Sequence, residues 1–182
     1  MDLQDQCEVC AVSLSDVKSA FSQIGLDGAI EIITLNPTRL GEVWASIRQV
    51  GKALEVDPDH LCASLTERIL RISTKGSNTT NVATIEWLNP LMGAGNWVPE
   101  LVGIAGGNNL FGLAGQHSAR FNFDYLLSAD PDIIIFMPCG YNLNKTVSEV
   151  KNLLKKIQWK TLRAVHDGQV YAVDGDFYFN RP

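Results

Sequence analysis

Long apolar runs are missing from this sequence: no stretch approaches the roughly 18 residues that cross a bilayer, so nothing in it reads as membrane-spanning. A basic excess is missing too. The formal net charge is −5, which removes the electrostatic case for nucleic acid or an anionic membrane, since both reward basic surfaces. The first residues, Met1-Asp2-Leu3-Gln4-Asp5, lack the basic and apolar regions of a secretory signal. There is no G-x-S-x-G, no Walker loop and no H-E-x-x-H, and no internal repeat or low-complexity segment.

Cysteine is sparse, with four residues at 7, 10, 62 and 139. Cys7 and Cys10 form a C-x2-C pair, which suits a zinc half-site, a redox pair or a packed turn. A structural zinc site needs four ligands, and no second C-x2-C or paired-histidine motif accompanies this one. Packing or pocket lining is therefore the preferred reading, with thiol-redox chemistry kept as the alternative because the residues after Cys10 enter a helix. What is present is ordinary for a globular chain of 182 residues: 46% hydrophobic and 19% charged, enough to bury one medium core. Cys7-Glu8-Val9-Cys10 begins with no preceding element, and Phe179-Asn180-Arg181-Pro182 follows an aromatic cluster without a closing helix, so a fragment of a larger protein is expected rather than a small cytoplasmic domain.

Apolar spacing predicts helices from Ser13 to Ile24, from Arg39 to Leu54 and from Asp57 to about Lys75, with a strand from Ala29 to Leu35. The polar stretch Gly76–Asn81 reads as a linker. Beyond it the pattern turns to α/β. Strands are expected at Val82–Leu88, Leu110–Phe111, Ile133–Met137 and Gln169–Val173. The helices expected between them are Trp97–Ala105, capped by Asn96, Phe123–Ser128, capped by Asn122, and Val147–Ile157. The fold class is α/β, an open, mostly parallel sheet with helices on both faces.

Several of these segments resemble a known family. Ala105-Gly-Gly-Asn-Asn-Leu-Phe111, Leu126-Leu-Ser-Ala-Asp-Pro-Asp-Ile-Ile-Ile135 and Trp159-Lys-Thr-Leu-Arg-Ala-Val-His-Asp-Gly-Gln-Val-Tyr-Ala-Val173 resemble, in order and spacing, the second lobe of siderophore- and cobalamin-type substrate-binding proteins of ABC transporters. Cys7-Glu-Val-Cys-Ala-Val-Ser13, Ile85-Glu-Trp-Leu-Asn-Pro-Leu-Met-Gly-Ala-Gly-Asn-Trp97 and Met137-Pro-Cys-Gly140 resemble its cobalamin-binding branch. In that family two α/β lobes are joined by a long helix, with the ligand in the cleft between them. The resemblance implies that residues 1–56 are the remnant of an N-terminal lobe, 57–81 the interlobe helix and linker, and 82–182 the C-terminal lobe.

The resemblance also implies the chemistry. Cobalamin is large, flat and amphipathic, so its site needs broad aromatic surface and a few polar contacts. In open α/β sheets ligands sit outside the carboxyl ends of the strands. That rule selects Glu86, Trp87, Met92, Asn96 and Trp97 after the first strand of the lobe, Cys139, Gly140 and Tyr141 after the central one, and Phe177 and Tyr178 after the last. Trp97 and Phe177 have packing as their alternative role. His117 is a candidate axial ligand to cobalt or iron, though an ordinary polar loop residue is the preferred reading, and Arg120-Phe121 stand nearby where the family often carries a Trp. Asp124, in the first turn of a helix, matches the acidic residue that docks against permease arginines, and charge reversal there should weaken docking without affecting ligand affinity.

The expectation is thus a binding protein and not an enzyme, with no intrinsic cofactor. Its ligand is cobalamin, with haem or a ferric siderophore as alternatives, and its partner is an ABC permease. The location is periplasmic or extracytoplasmic, the chain either binding weakly or pairing as a homodimer through its exposed lobe interface. The alternatives are an intracellular cobalamin or haem handling or sensing protein without a permease, and a thiol-redox protein using Cys7 and Cys10.

Overall fold

The computed structural model describes residues 2–4, 13–26, 32–73 and 80–179. Cys7 and Cys10 lie outside the described residues, as do the start of the expected strand at Ala29 and the linker from Gly76 to Thr79. The described residues fall into two compact units, one within Met1–Glu67 and one within Arg68–Asn180.

In the first unit, strands β1 (Asp2–Gln4) and β2 (Ile33–Leu35) pair in parallel. Helix α1 (Leu14–Gln23) starts at Ser13, whose Oγ accepts from the Asp16 backbone N–H at 3.1 Å and donates to the Asp16 carboxylate at 2.7 Å. Helix α2 (Leu40–Ala53) starts beneath a carboxylate. Glu42 accepts from the Thr38 N–H at 2.6 Å, the Thr38 hydroxyl at 3.0 Å and the Arg39 N–H at 3.1 Å. Those bonds, the Thr38 backbone N–H foremost, hold the Glu42 carboxyl below the usual carboxylate range. Helix α3 (Asp59–Ser73) follows, its residues up to Glu67 in this unit and those from Arg68 in the second, with Cys62 buried on it.

The second unit is built on one mixed, mostly parallel sheet. Its strands are β3 (Thr80–Leu88), β4 (Leu91–Gly93), β5 (Gly107–Asn109), β6 (Ala119–Arg120), β7 (Ile133–Phe136) and β8 (Val170–Ala172), in the order β6-β4-β3-β7-β8 with β5 beside the first half of β3. The pairs β3–β5, β3–β7 and β7–β8 are parallel, while β4 runs antiparallel to β3 and to β6. The segment expected as a plain loop after Leu88 is therefore a hairpin, and the strand expected at Leu110–Phe111 lies earlier, at Gly107–Asn109. Asn109 accounts for that shift. Its side-chain amide donates to the Phe111 and Gly112 carbonyls at 2.8 and 3.1 Å and its Oδ1 accepts from the Thr84 hydroxyl at 2.8 Å, so the chain turns there instead of extending.

Alternation along the strands feeds two cores. Ala83, Ile85, Ile134 and Phe136 face one side, under Leu126 of α5 (Phe123–Ala129), Val150 of α6 (Leu143–Leu154), and Trp159, Leu162 and Ala164. Ala164 lies on α7 (Arg163–His166) and Trp159 on a short 3-10 turn, Ile157–Thr161. Val82, with the partly buried Ile133 and Ile135, faces the other side, against Val98 and Val102 of α4 (Val98–Ile104). The pure apolar run of β7 thus has the cause expected of it, cover on both faces.

Two helix starts differ from the sequence-based expectation. The helix expected from Val147 begins at Leu143, because Asn142 caps it: its Oδ1 accepts from the Lys145 N–H at 2.9 Å. It ends at Leu154 rather than Ile157, where the chain tightens into the 3-10 turn. Asn96 does not cap α4. Trp97 holds that position, and Asn96 has φ +54°, its N–H bound to the Gln116 carbonyl at 2.7 Å. Gly95 allows that crossing, because a Cβ there would collide with the Gln116 carbonyl oxygen.

The Ala-Asp-Pro-Asp run also finds its physical reason. Arg163 bridges Asp130 at 3.3 Å and Asp132 at 2.6 Å, and Asp132 further accepts from the Asn81 N–H at 2.7 Å. The Asn81 bond first, then the Arg163 charge, hold the Asp132 carboxyl below its ordinary value. This clasp ties the entry of β3, the entry of β7 and the start of α7 at one end of the sheet, leaving the other end to loops.

Candidate functional site

The carboxyl ends of the parallel strands β3, β7 and β8 lie at that other end. The loops there are bound to one another through their backbones. The Cys139 N–H donates to the Glu86 carbonyl at 3.1 Å, joining the ends of β3 and β7. The Tyr141 carbonyl accepts from the Gly175 and Asp176 N–H groups at 2.9 and 3.1 Å, which fixes the loop after β7 to helix α8 (Gly175–Tyr178) after β8. Gly175 is required at that crossing, since a Cβ would run into the Pro138 carbonyl oxygen. Asp174 completes the frame by accepting from the Phe177 N–H at 2.8 Å and, across the gap to α6, from the Leu143 N–H at 3.1 Å.

This frame carries a row of aromatic side chains. Trp87 is 38% exposed, its indole N–H donates to the Asn89 carbonyl at 3.1 Å, and Tyr141 meets it edge-on with ring centroids 5.9 Å apart. Lys145 stands over the Tyr141 ring, its ammonium 3.6 Å from the centroid. Phe177 and Tyr178, 79% and 67% exposed, form a T-shaped pair 4.8 Å apart on α8. Met92 is the register partner of Trp87, and Arg120 that of Met92, so these three share one face across β3, β4 and β6. Ordinarily such rings would be buried. Their exposure on a rigid, hydrogen-bonded frame makes a surface suited to stacking a flat, amphipathic molecule.

The structure thus brings Glu86, Trp87, Met92, Cys139, Gly140, Tyr141, Phe177 and Tyr178 to one end of the sheet. It does not bring Asn96 and Trp97 to the row. The Asn96 side chain is 4% exposed, with an Nδ2 that finds no partner among the described residues, and Trp97 packs against the core around Val98, Val102 and Met137. His117 is exposed, its Nδ1 3.2 Å from the Ser118 carbonyl oxygen, and among the described residues no three His, Cys, Asp or Glu side chains gather to hold a metal. Asp124 is exposed in the first turn of α5. No helix among the described residues is long and apolar enough to cross a membrane. Sequence reasoning missed Arg120 and Lys145 as members of the row. The Asn142 cap preceding Lys145 was a readable signal, but the β4–β6 register that sets Arg120 beside Met92 was not.

A cavity of about 380 Å3 lies elsewhere, along the sheet face under α4, lined by Val82, Val102, Ile133, Ile135, Met137 and Phe179 among others. Neither Trp87, Tyr141, Phe177 nor Tyr178 lines it, while Phe179, which does, meets the Tyr178 ring with centroids 6.5 Å apart.

A family model described as "Periplasmic binding protein" matches residues 26–177. No curated protein matches the chain. Among solved structures, an ABC transporter substrate-binding protein from Listeria monocytogenes is 22% identical and superposes with a TM-score of 0.74 over 96% of this chain and 67% of its own. IsdE of S. aureus, solved with heme, is 23% identical with a TM-score of 0.63, over 89% of this chain and 66% of its own. The periplasmic vitamin B12 binding protein BtuF of Vibrio cholerae is 15% identical, also at 0.63, over 96% of this chain and 65% of its own. At these identities the likeness is one of fold, and the chain spans about two thirds of the length of the solved chains it matches.

Proposed function

The chain belongs to the periplasmic binding protein family, and from that premise we propose that it takes part in capturing a flat metal chelate, cobalamin or a related corrinoid, for delivery to an ABC importer outside the cytoplasm. The observation that carries this reading is the exposed row Trp87, Tyr141, Phe177 and Tyr178 on a frame of interlocked backbone hydrogen bonds. A corrin ring needs broad apolar contact with few polar anchors and no covalent chemistry, and the row offers that. Glu86, Met92, Cys139 and Gly140 complete the contact surface of the proposal. The names of two solved relatives of the same fold mention heme and vitamin B12, which supports a planar tetrapyrrole-like ligand over a small polar solute.

Calorimetric titration of cyanocobalamin, ferric haem and a ferric hydroxamate siderophore into the chain tests the reading. Saturable one-to-one binding of cyanocobalamin, stronger than that of the siderophore, is the expected result. Heat of dilution alone from all three would sink it. Asp124 supplies the delivery half of the proposal: it is exposed in the first turn of α5, and an exposed carboxylate suits pairing with arginine. In Asp124→Arg, transport by a reconstituted permease should drop at least tenfold while calorimetric affinity stays at the wild-type value. Unchanged transport would remove Asp124 from the docking surface.

A further inference from the structure

We propose that the second unit carries a contact surface for an anionic lipid bilayer, made of Lys151, Lys155, Lys156 and Lys160 around the exposed side chain of Ile157. The net charge of −5 describes the whole chain, and one stretch departs from it. Residues 151–163 hold five of the chain's 15 lysines and arginines and neither Asp nor Glu. Local geometry groups these cations. Lys151 and Lys155 are four apart where α6 ends, so they share a face. In the 3-10 turn Ile157–Thr161, side chains three apart eclipse one another, which sets Ile157 beside Lys160. Lys156 stands between helix and turn. All four lysines are exposed and Ile157 is 79% exposed, while Trp159 is 1% exposed and anchors the turn to the core.

Among the described residues no carboxylate pairs with these four lysines. Lys155 meets only the Asn152 amide oxygen, at 3.0 Å, whereas Arg163 is held by Asp130 and Asp132. Those two carboxylates are matched in turn by Arg163 and the Asn81 N–H. Glu149 lies on α6 two residues from Lys151, a spacing that does not face it. The helix dipole accounts for Lys151 and Lys155 at a helix C-terminus. It does not account for Lys156 and Lys160, nor for an isoleucine left in water among them. That isoleucine selects the partner. A soluble polyanion gains nothing from it, whereas at a bilayer the lysines meet headgroup phosphates while an aliphatic side chain enters the acyl boundary. The position fits as well. Arg163 follows the turn and clasps the entries of β3 and β7, so the patch lies at the end of the sheet away from the aromatic row. A chain resting on lipid this way keeps Trp87 and Tyr141 towards the solution.

Co-sedimentation of the full chain with lipid vesicles is the test. At about 50 mM salt, partitioning onto phosphatidylcholine vesicles with about 30% phosphatidylglycerol should exceed that onto phosphatidylcholine alone by about tenfold, and the excess should shrink at about 300 mM. Lys155→Gln with Lys156→Gln should lower it at least about fivefold. Lys18→Gln with Lys52→Gln makes the same change in net charge at exposed positions of the first unit and should lower it less than about twofold. Ile157→Ser should lower it about threefold and leave the salt dependence as it is. Thermal midpoints equal to wild type are the control for folding. Equal partitioning onto the two kinds of vesicle overturns the proposal, and so does an equal loss in the two double variants. Ile157→Ser that partitions like wild type overturns it as well, and tight binding of inorganic polyphosphate would then assign the lysines to a soluble polyanion. No chelate enters the measurement, so its outcome is independent of the proposed function.

Discussion

Replacing Trp87 with Ala is expected to weaken binding of a corrinoid by about a hundredfold. A tryptophan at the centre of a contact surface contributes about 2–4 kcal/mol when truncated, and each 1.4 kcal/mol is tenfold in affinity. Trp87 meets the conditions under which such values arise. Its indole is held by the bond to the Asn89 carbonyl and by the edge of Tyr141, so little rotamer freedom remains to be lost when a ligand stacks on it. It also occupies the middle of the row, with Met92 on one side and Tyr141 on the other, and its loss would leave Tyr141 without its neighbour. Trp87→Phe should recover most of the affinity, because a ring remains in the same place, though without the anchoring N–H. Calorimetry on both variants decides the matter. If Trp87→Ala binds within threefold of wild type, the aromatic row is not the ligand surface.

Much of the frame behind that surface could be read from the residues alone, because it depends on local rules. Asn122 caps its helix as short polar side chains do, and Ile133–Phe136 is apolar because it is covered on both faces. The start of α6 was missed through a local cap, Asn142, but two other failures come from non-local pairing. Leu91-Met92-Gly93 is too short to show a strand period and becomes one only because β3 and β6 flank it. Asn96 has the composition of a cap, yet its backbone is claimed by Gln116, twenty residues later in the sequence. The same limit applied to the site. Trp87, Tyr141 and Tyr178 follow from the rule that ligands collect at carboxyl strand ends. Arg120 follows from a strand register that no window of sequence contains.

The family-like segments mostly build the scaffold rather than the surface. Asn109 in the Gly-Gly-Asn-Asn run pins a turn, Asp130 and Asp132 form the clasp with Arg163, and Trp159 begins the run that ends in β8.

Trp159 is where that scaffold is most concentrated, and Trp159→Ala should be the most destabilising single change in the second unit. The side chain is 1% exposed, with Phe123 edge-on at 5.1 Å and Phe136 at 5.6 Å, so it joins α5, β7 and the 3-10 turn in one contact. Large aromatic-to-Ala changes at such positions cost about 3–5 kcal/mol, against a whole-domain stability of about 5–15 kcal/mol. The turn that carries it, Ile157–Thr161, has no side-chain cap and only weak 3-10 bonding of its own, so it is held by the tryptophan rather than the reverse. In urea the transition of the second unit should move down by about 1 M or more, given a slope of about 1–3 kcal/mol per molar. Because Phe136 ends where the site loop begins, the folded fraction of the variant should also bind chelate less tightly, by severalfold, through a looser Met137–Tyr141 segment. A midpoint shift below about 0.3 M would mean that the core closes over the missing ring, and the loop would then owe its position to the bonds of Cys139, Asp174 and Gly175 rather than to Trp159.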